Sequence, residues 1–245
     1  MNELKQIEKF RAVLNNYTPS ETAKKALEKI ELVLLVGPTS SGRNTIMNEL
    51  VKTGDYHIVV SDTTRQPRIN NGIPEQNGRE YWFRTEEDIL ADLEAGNFLE
   101  AAIIHNQQVS GISVRELQSA ADEHKIAINE IEVVGADNIH AASPEAKFLF
   151  VIPPSFEEWM ARMTSRGALP EDEVARRLGS AVSELETALG RNYYIFVVND
   201  TFQLSAQRVN AIIKQNKVEP EEQLRSKAIA QELLERTKQH VAQLV

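Results

Sequence analysis

With 245 residues, of which 26% are charged and 42% hydrophobic, the chain has the length and composition of a soluble globular protein of one or two domains. It contains no cysteine, its N-terminus lacks the apolar core of a secretory signal, and its apolar runs are far too short to span a bilayer. These features exclude disulfides, thiolate catalysis and cysteine-based zinc sites, and we expect a cytoplasmic protein with no membrane partner. The formal net charge of −9 argues against a nucleic-acid partner, which needs a basic face, but a nucleotide needs only a local cluster of arginines and backbone N–H groups.

The first 30 residues predict two helices. Apolar side chains recur at three- and four-residue steps, which is typical of one helix face. They are Leu4, Ile7, Phe10, Leu14 and Tyr17. The following stretch predicts a second helix with Thr18 as its N-cap, Pro19 in its first turn and Glu21 reaching back to the cap.

From residue 31 onward, the pattern alternates between strands and helices. Strands are predicted at 32–36, 57–61, 80–85, 98–105, 125–133, 147–153 and 193–199. Helices are predicted at 43–52, 86–96, 114–124, 171–190 and 204–214. A further helix is predicted to begin at the capping box Ser155–Glu158, and a last helix, at 221–244, follows Pro220. This order predicts an α/β protein with a largely parallel sheet, in which ligands bind beyond the C-terminal ends of the strands. The stretch 69–79 is the most loop-like.

The sequence "LVLLVGPTSSGRNT", residues 32–45, indicates a phosphate-binding loop. A short apolar strand is followed by Gly37, four residues and Gly42, and then by the start of a helix. Backbone N–H groups and the helix N-terminus make such a loop a site for phosphate. The two positions that normally hold Lys and Ser or Thr are Arg43 and Asn44, so an ordinary strand–turn–helix connection stays open as an alternative.

Two groups of arginines are candidates for further phosphate contacts. In "SDTTRQPR", residues 61–68, Arg65 and Arg68 follow a predicted strand, although by themselves they are better explained by a solvated loop. Residues 160–178 carry the second group, interrupted by Gly167 and Pro170. These could form a helical lid over a phosphate chain, or a surface ladder of salt bridges with the acidic residues 171–173. The second group is Arg162, Arg166, Arg176 and Arg177.

Taken together and in this order, the motifs resemble the guanylate kinase family over roughly residues 31–216. Further markers are "NGREYWF", "GNFLEAA", "VVGA", "FLFVIPPSFEEW" and "FVVND". The resemblance implies a P-loop NTPase-like parallel sheet flanked by helices, with a small GMP-binding β subdomain at about 61–112 and a helical lid at about 162–177. Helical extensions would then occupy residues 1–30 and 217–245.

The resemblance also implies which residues bind the two substrates, ATP and GMP. Residues implied to bind GMP are Ser61, Arg65, Arg68, Tyr81, Glu100, Ser110 and Glu130. Residues implied to bind ATP are Gly37, Pro38, Thr39, Ser40, Ser41, Gly42, Arg43, Asn44, Thr45 and Asn199. The implied catalytic arginines are Arg43, Arg162, Arg166 and Arg177. Among these, Glu100 would read guanine, because a carboxylate accepts from both the ring N–H and the amino group. Mg²⁺ would accompany ATP, with Asn44 as its protein ligand.

Several positions depart from the family pattern. Arg43 replaces a lysine and Asn44 replaces the hydroxyl that holds Mg²⁺, and neither exchange is conservative. The other departures are Ser110 for a tyrosine, Ile112 for a hydroxyl, Glu130 and Glu132 for two aspartates, and Thr164 for a lid arginine. Among these, Glu130 and Glu132 keep the charge but reach further than aspartate.

Three interpretations of function follow. The first is a kinase that converts ATP and GMP to ADP and GDP, weakened by Arg43 and Asn44. The alternative is a catalytically inactive module that binds a nucleotide or a phosphorylated partner through the GMP site. The third concerns the terminal helices, which could mediate homo-oligomerisation or partner docking, or could simply pack on their own domain.

Overall fold

The computed structural model describes residues 4–70, 72–104, 106–165 and 169–244. These residues form two compact units. Unit 1 takes in the described residues of Met1–Leu32, Tyr56–Asn129 and Asp137–Ala146. Unit 2 takes in those of Val33–Asp55, Glu130–Ala136 and Lys147–Val245.

Unit 1 begins with two short helices, α1 (Ile7–Leu14) and α2 (Glu21–Leu27). The apolar face of α1 is buried in the core of this unit, where Phe10 is fully enclosed. The predicted N-cap of the second helix is wrong: Ser20, not Thr18, accepts a hydrogen bond from the backbone N–H of Ala23, at 3.2 Å. A cap must precede the first helical residue, and because this helix begins at Glu21, Thr18 and Pro19 lie outside it.

The sheet of unit 1 has four strands, β3 (Asp62–Thr63), β6 (Trp82–Phe83), β7 (Phe98–Ile104) and β8 (Gln108–Ser113). Their order in the sheet is β6, β3, β8, β7. The strands β7 and β8 are antiparallel, as are β8 and β3, whereas β3 and β6 are parallel. Outside this sheet, β2 (Tyr56–Ile58) pairs in parallel with β9 (Ile126–Glu130). The helices that accompany these strands are α4 (Glu86–Glu94) and α5 (Val114–Asp122), whereas α6 (Val133–Ala142) begins in unit 2 and ends in unit 1.

Unit 2 contains a parallel arrangement of β1 (Leu32–Val36), β10 (Lys147–Ile152) and β11 (Tyr194–Val198). All five residues of β1 are buried, as a central parallel strand requires. The helices of this unit are α3 (Arg43–Val51), α7 (Phe156–Thr164), α8 (Glu171–Leu189), α9 (Phe202–Gln215) and α10 (Pro220–Leu244). The predicted α/β class with parallel strands between helices is therefore confirmed.

The final helix, α10, begins at Pro220, one residue before the predicted start, and packs on α8, α7 and β11. Its buried face includes Ala230, Leu233, Leu234 and Thr237. Its buried face, like that of α1, is thus used within its own unit. Among the described residues, no helix combines the length and the apolar character needed to cross a membrane.

Several elements differ from the sequence expectation, and the strands predicted at 57–61 and 80–85 are shorter, at Tyr56–Ile58 and Trp82–Phe83. The predicted strand 125–133 ends at Glu130, and α6 begins at Val133, because two adjacent valines fit a strand and a helix equally well. The strand β8 was not predicted, since its polar and small residues carry no clear alternation. The loop-like stretch 69–79 contains a small hairpin, β4 (Ile69–Asn70) paired with β5 (Ile73–Pro74).

Candidate active site

The loop between β1 and α3 has a backbone that only glycine can adopt at two positions. Gly37 has φ of +142° and Gly42 has φ of +96°. A Cβ atom would lie 2.2 Å from the carbonyl oxygen of Val151 at the first position and 2.1 Å from Nδ2 of Asn199 at the second. Because these approaches leave no room for a side chain, both glycines of the predicted phosphate loop are required by its shape.

Two side chains from distant parts of unit 2 hold this loop by its carbonyl groups. Asn199 Nδ2 donates to the backbone oxygen of Ser41 at 2.8 Å, and Trp159 Nε1 on α7 donates to that of Thr39, also at 2.8 Å. Both side chains are buried, so the bonds are shielded from competing water. Asn199, predicted to bind ATP, thus contacts the loop, whereas the contact of Trp159 was not predicted.

A cavity of about 690 Å³ in unit 2 brings together most of the predicted ATP-binding and catalytic residues. Its lining includes Asp200, Phe202 and Gln203 beside the loop. The predicted residues that line it are Thr39, Ser40, Gly42, Arg43, Asn44, Thr45, Arg162, Arg177 and Asn199. The fourth predicted catalytic arginine, Arg166, lies outside the described residues.

Three departures from the family pattern meet at one point of this cavity. Arg43 Nε lies 3.6 Å from Glu130 Oε2, and Asn44 Nδ2 donates to Glu130 Oε1 at 3.1 Å. Arg43 also donates to the carbonyl oxygen of Ile131 at 3.3 Å. Glu130, which the resemblance implied for GMP binding, therefore contacts the phosphate loop. Its longer side chain, compared with aspartate, lets one carboxylate reach both replaced residues.

Behind Arg43 lies a carboxyl group that the sequence did not single out. Burial raises the pKa of Glu184, on α8, from its ordinary value of 4.5 to about 7. The charge of Arg43 opposes this rise in pKa, and the charge of Glu132 adds to it. Glu184 therefore changes its charge near neutral pH beside the arginine that replaces the usual lysine.

The substitution Glu184→Gln is expected to remove a pH dependence of stability. The pKa of this carboxyl group is higher in the folded state, so between about pH 4.5 and 7 the folded protein binds more protons than the unfolded chain. The free energy of unfolding then falls as pH rises through this window, by up to about 3 kcal/mol, and a neutral glutamine abolishes this loss. Urea unfolding at pH 5 and pH 8 measures it. Glu186→Gln, on the exposed side of the same helix, is the control and should keep the wild-type difference.

The arginines around the predicted lid also form ion pairs. Arg162 Nε donates to Glu158 at 3.0 Å, and its Nη2 donates to the carbonyl oxygen of Asp200 at 3.3 Å. On α8, Arg177 and Arg176 both pair with Glu173, at 2.6 Å and 2.7 Å. Of the salt-bridge ladder considered from the sequence, the part through Glu173 is therefore present, and Arg162 and Arg177 line the cavity as well.

In unit 1, Arg65 is held in place by a residue that the sequence did not indicate. Its guanidinium group forms two hydrogen bonds to Glu75, at 2.5 Å and 3.0 Å, and lies over the ring of Tyr81, 4.6 Å from its centre. Burial alone would lower the pKa of Arg65, but the Glu75 carboxylate more than offsets this, and the net pKa is raised. Glu75 also accepts from the backbone N–H of Arg68 at 2.8 Å. One carboxylate thus organises the loop that carries both predicted phosphate-binding arginines.

The other predicted GMP-binding residues of unit 1 lie on or beside its sheet. Glu100 is 8% exposed on β7, opposite Ile112 on β8. Ser61 accepts from the side-chain amide of Asn129 at 3.1 Å, and Ser110 donates to the hydroxyl of Thr63 at 2.8 Å. Arg65 and Arg68 line a cavity of about 710 Å³ together with Leu4 and Lys5. Ser61, Tyr81, Glu100 and Ser110 are not among the described residues that line this cavity.

A glycine-bounded loop between a buried strand and a helix, with arginines around the same cavity, defines a P-loop-type nucleotide-binding protein. Comparison with known proteins narrows this class. A family model described as "Guanylate kinase" matches residues 29–216. The chain is 34% identical over 187 residues to a guanylate kinase of Clostridioides difficile, covering 76% of this chain and 88% of that protein. It is 33% identical over 184 residues to a guanylate kinase of Corynebacterium diphtheriae, with 74% and 93% covered.

A solved structure supports the same fold. The crystal structure of guanylate kinase from Anaplasma phagocytophilum superposes with a TM-score of 0.58 at 23% identity, covering 78% of this chain and 88% of that one. The chain belongs to the guanylate kinase family. It is accordingly a phosphotransferase of the guanylate kinase type, and the relatives favour this function over the inactive binding module.

Proposed function

We propose that the protein transfers the γ-phosphoryl group of ATP to GMP, giving ADP and GDP. The observation that carries this proposal is the cavity of unit 2, where the glycine-bounded loop, Arg43, Arg162 and Arg177 surround one space. Phosphoryl transfer needs little covalent chemistry from the protein. It needs aligned groups and positive charge to neutralise the transferred phosphoryl, which these residues supply.

Each part of this cavity has a proposed role toward ATP. The backbone of residues 37–45 would bind the phosphates, and Asn199 would fix the loop through Ser41 while it borders the base. Arg43, Arg162 and Arg177, with Arg166, would stabilise the charge on the transferred group. The contacts of Glu130 support a role at this loop in place of the predicted role in GMP binding.

Mg²⁺ is proposed to accompany ATP, and the side chains around the loop fit a metal that is held mainly by its substrate. Among the described residues, no cluster of three or more His, Asp and Glu side chains could form a metal cage by itself. Mg²⁺ in kinases is typically bound by substrate phosphates, water and one or two protein oxygens. Since the amide nitrogen of Asn44 donates to Glu130, its amide oxygen is the atom that remains for the metal. The ion would supply charge neutralisation at the β- and γ-phosphates.

The GMP site is proposed in unit 1. Arg65, Arg68 and Tyr81 would bind the phosphate, and the pairing of Arg65 with Glu75 presents a guanidinium group whose orientation is already fixed. Glu100 would read the guanine base, with Ser61 and Ser110 as polar neighbours.

A coupled ADP-release assay tests the proposal with GMP, dGMP, AMP, UMP and CMP as acceptors. We expect release that depends on a guanine nucleotide and on Mg²⁺, with little release for the other three. Release that is equal for AMP and GMP, or none for any acceptor, would overturn it. In the second case, thermal shifts separate the remaining alternative, because a binding module responds to GMP but not to Mg-ATP. The predicted homo-oligomerisation or docking through the terminal helices stays a prediction.

A further inference from the structure

The two terminal extensions lie outside the family match at residues 29–216, yet each is bonded to one of the family motifs. The strand β7 is the last strand of the sheet in unit 1, and β11 is a terminal strand in unit 2. Terminal strands present backbone N–H and C=O groups that no neighbouring strand satisfies. In each unit, a single side chain from an extension forms hydrogen bonds to both the backbone N–H and the backbone C=O of one strand residue.

In unit 1 this side chain is Tyr17, which follows α1. Its hydroxyl accepts from the backbone N–H of Phe98 at 2.9 Å and donates to the backbone oxygen of the same residue at 2.7 Å. Three residues further on, the N–H of Ser20 donates to the oxygen of Gly96 at 3.0 Å. The extension therefore holds the "GNFLEAA" motif at its first and third residues, and the third lies two positions before Glu100.

Because the pairing of β7 is irregular, the hydrogen bonds from Tyr17 to Phe98 affect the position of Glu100. Pairing between β7 and β8 shifts between Phe98 and Glu100, so the ladder is irregular at that step. A residue next to such an irregularity is not fixed by its neighbouring strand alone. The hydroxyl of Tyr17 supplies the missing constraint on the open side of β7. The same environment raises the pKa of Tyr17, chiefly through burial, with a contribution from the nearby charge of Glu100.

In unit 2 the corresponding side chain is Gln223, in the first turn of α10. Its Oε1 accepts from the N–H of Phe196 at 2.9 Å and its Nε2 donates to the oxygen of Phe196 at 3.0 Å. The preceding residue, Glu222, lies 3.5 Å from Arg208, which in turn pairs with Asp200 at 3.1 Å. The start of α10 thus holds the "FVVND" motif on both sides of Asn199.

Asn199 depends on its strand for its orientation. Its backbone N–H donates to Ile152 at 2.8 Å, and its side chain donates to Ser41. Its side-chain oxygen is buried and has no hydrogen-bond partner within the described part of the chain. With a single side-chain bond, the angle at which it meets the phosphate loop follows from the position of β11, which β10 holds on one side and Gln223 holds on the other.

We propose that the two extensions are separate positioning elements for the two substrates: Tyr17 positions Glu100 for GMP, and Gln223 positions Asn199 for ATP. This rests on the proposed function for the assignment of each residue to its nucleotide. Neither Tyr17 nor Gln223 is a catalytic residue, since each acts through the strand that it holds. Tyr17 and Gln223 therefore influence affinity from outside the family match at residues 29–216, and each influences only one substrate.

The proposal is tested on the full chain by measuring the affinity for each of the two nucleotides in each of two variants. Tyr17→Phe removes the hydroxyl and keeps the ring, and Gln223→Met keeps the length and removes both polar atoms. Calorimetry with GMP alone and with Mg-ATP alone gives two dissociation constants for each variant. We expect Tyr17→Phe to raise the Kd for GMP about fivefold and Gln223→Met to raise the Kd for Mg-ATP about fivefold, each leaving the other Kd within about twofold.

Control variants separate positioning from loss of stability. Leu27→Val and Leu234→Val disturb the buried faces of α2 and α10 without touching the two bonds, and should lower Tm while leaving both Kd values unchanged. Equal shifts of both nucleotides in either bond variant, or a change in Tm alone, would overturn the proposal.

The same measurements distinguish a failure of this proposal from a failure of the proposed function. Because binding is measured, a chain without turnover in the ADP-release assay would refute the function and leave the crossed pattern to decide on positioning. Glu100→Gln is measured in parallel. If it weakens GMP binding while Tyr17→Phe does not, the guanine site stands and the role of Tyr17 is refuted.

Discussion

Glu100→Gln is expected to weaken GMP binding by about 1–3 kcal/mol, because one carboxylate oxygen that accepts from guanine becomes an amide group that donates. The carboxylate is largely buried on β7, so water cannot readily compensate for the mismatch. Glutamine has nearly the same size, so the fold should be unaffected. Calorimetry with GMP and with IMP, which lacks the 2-amino group, measures the affinity and the preference for guanine.

The matched control for this experiment is Glu94→Gln, an exposed glutamate at the end of α4. It should leave both nucleotide affinities unchanged. If Glu100→Gln binds GMP as tightly as the wild type, and the preference for GMP over IMP persists, then Glu100 does not read the base.

The double reversion Arg43→Lys with Asn44→Ser is expected to raise turnover by about tenfold or more, equivalent to about 1.4 kcal/mol of transition-state stabilisation. Arg43 is engaged by Glu130 and by the carbonyl oxygen of Ile131, so part of its charge is already satisfied. Lysine is a compact charge that can follow the phosphates, and a serine hydroxyl suits Mg²⁺ better than an amide does. The affinity for GMP should change little, because the proposed GMP site is in unit 1.

Steady-state assays with saturating ATP and GMP measure the effect, with Arg176→Lys as a control for an arginine exchange outside the cavity. A fall in turnover would contradict this view of the loop. It would mean that Arg43, Asn44 and Glu130 function as one set. Adding Glu130→Asp to the double reversion would then restore activity, whereas Glu130→Asp alone would lower it.

The sequence predicted best those features that depend on neighbouring residues. The bounds of β1 agree residue for residue, since a run of five apolar residues before Gly37 leaves little choice. The capping box at Ser155 is confirmed by a 3.2 Å bond from the N–H of Glu158. The N-cap of α2 was misplaced because Thr18 and Ser20 are chemically alike and two residues apart, and only the position of the helix decides between them.

What the sequence could not predict are contacts between residues far apart along the chain. Tyr17 was identified as an apolar residue of a helix stripe, but the function of its hydroxyl depends on Phe98, 81 positions away. Trp159 is 120 positions from the loop that it holds. Local periodicity carries no information about either pair. Glu184 likewise shows no motif, since its raised pKa arises from the elements that bury it.

Because Trp159 donates a hydrogen bond to Thr39, its intrinsic fluorescence reports on the state of the phosphate loop. The chain has two tryptophans, and the other, Trp82, lies in unit 1 with its indole N–H bonded to Glu116 at 2.7 Å. Indole emission depends on the hydrogen bond and on the polarity around the ring. In a protein where Trp82 is replaced by phenylalanine, the remaining fluorescence would come from the ring attached to the loop. The arrival of ATP could then be followed in real time without any added dye, and separately from the arrival of GMP.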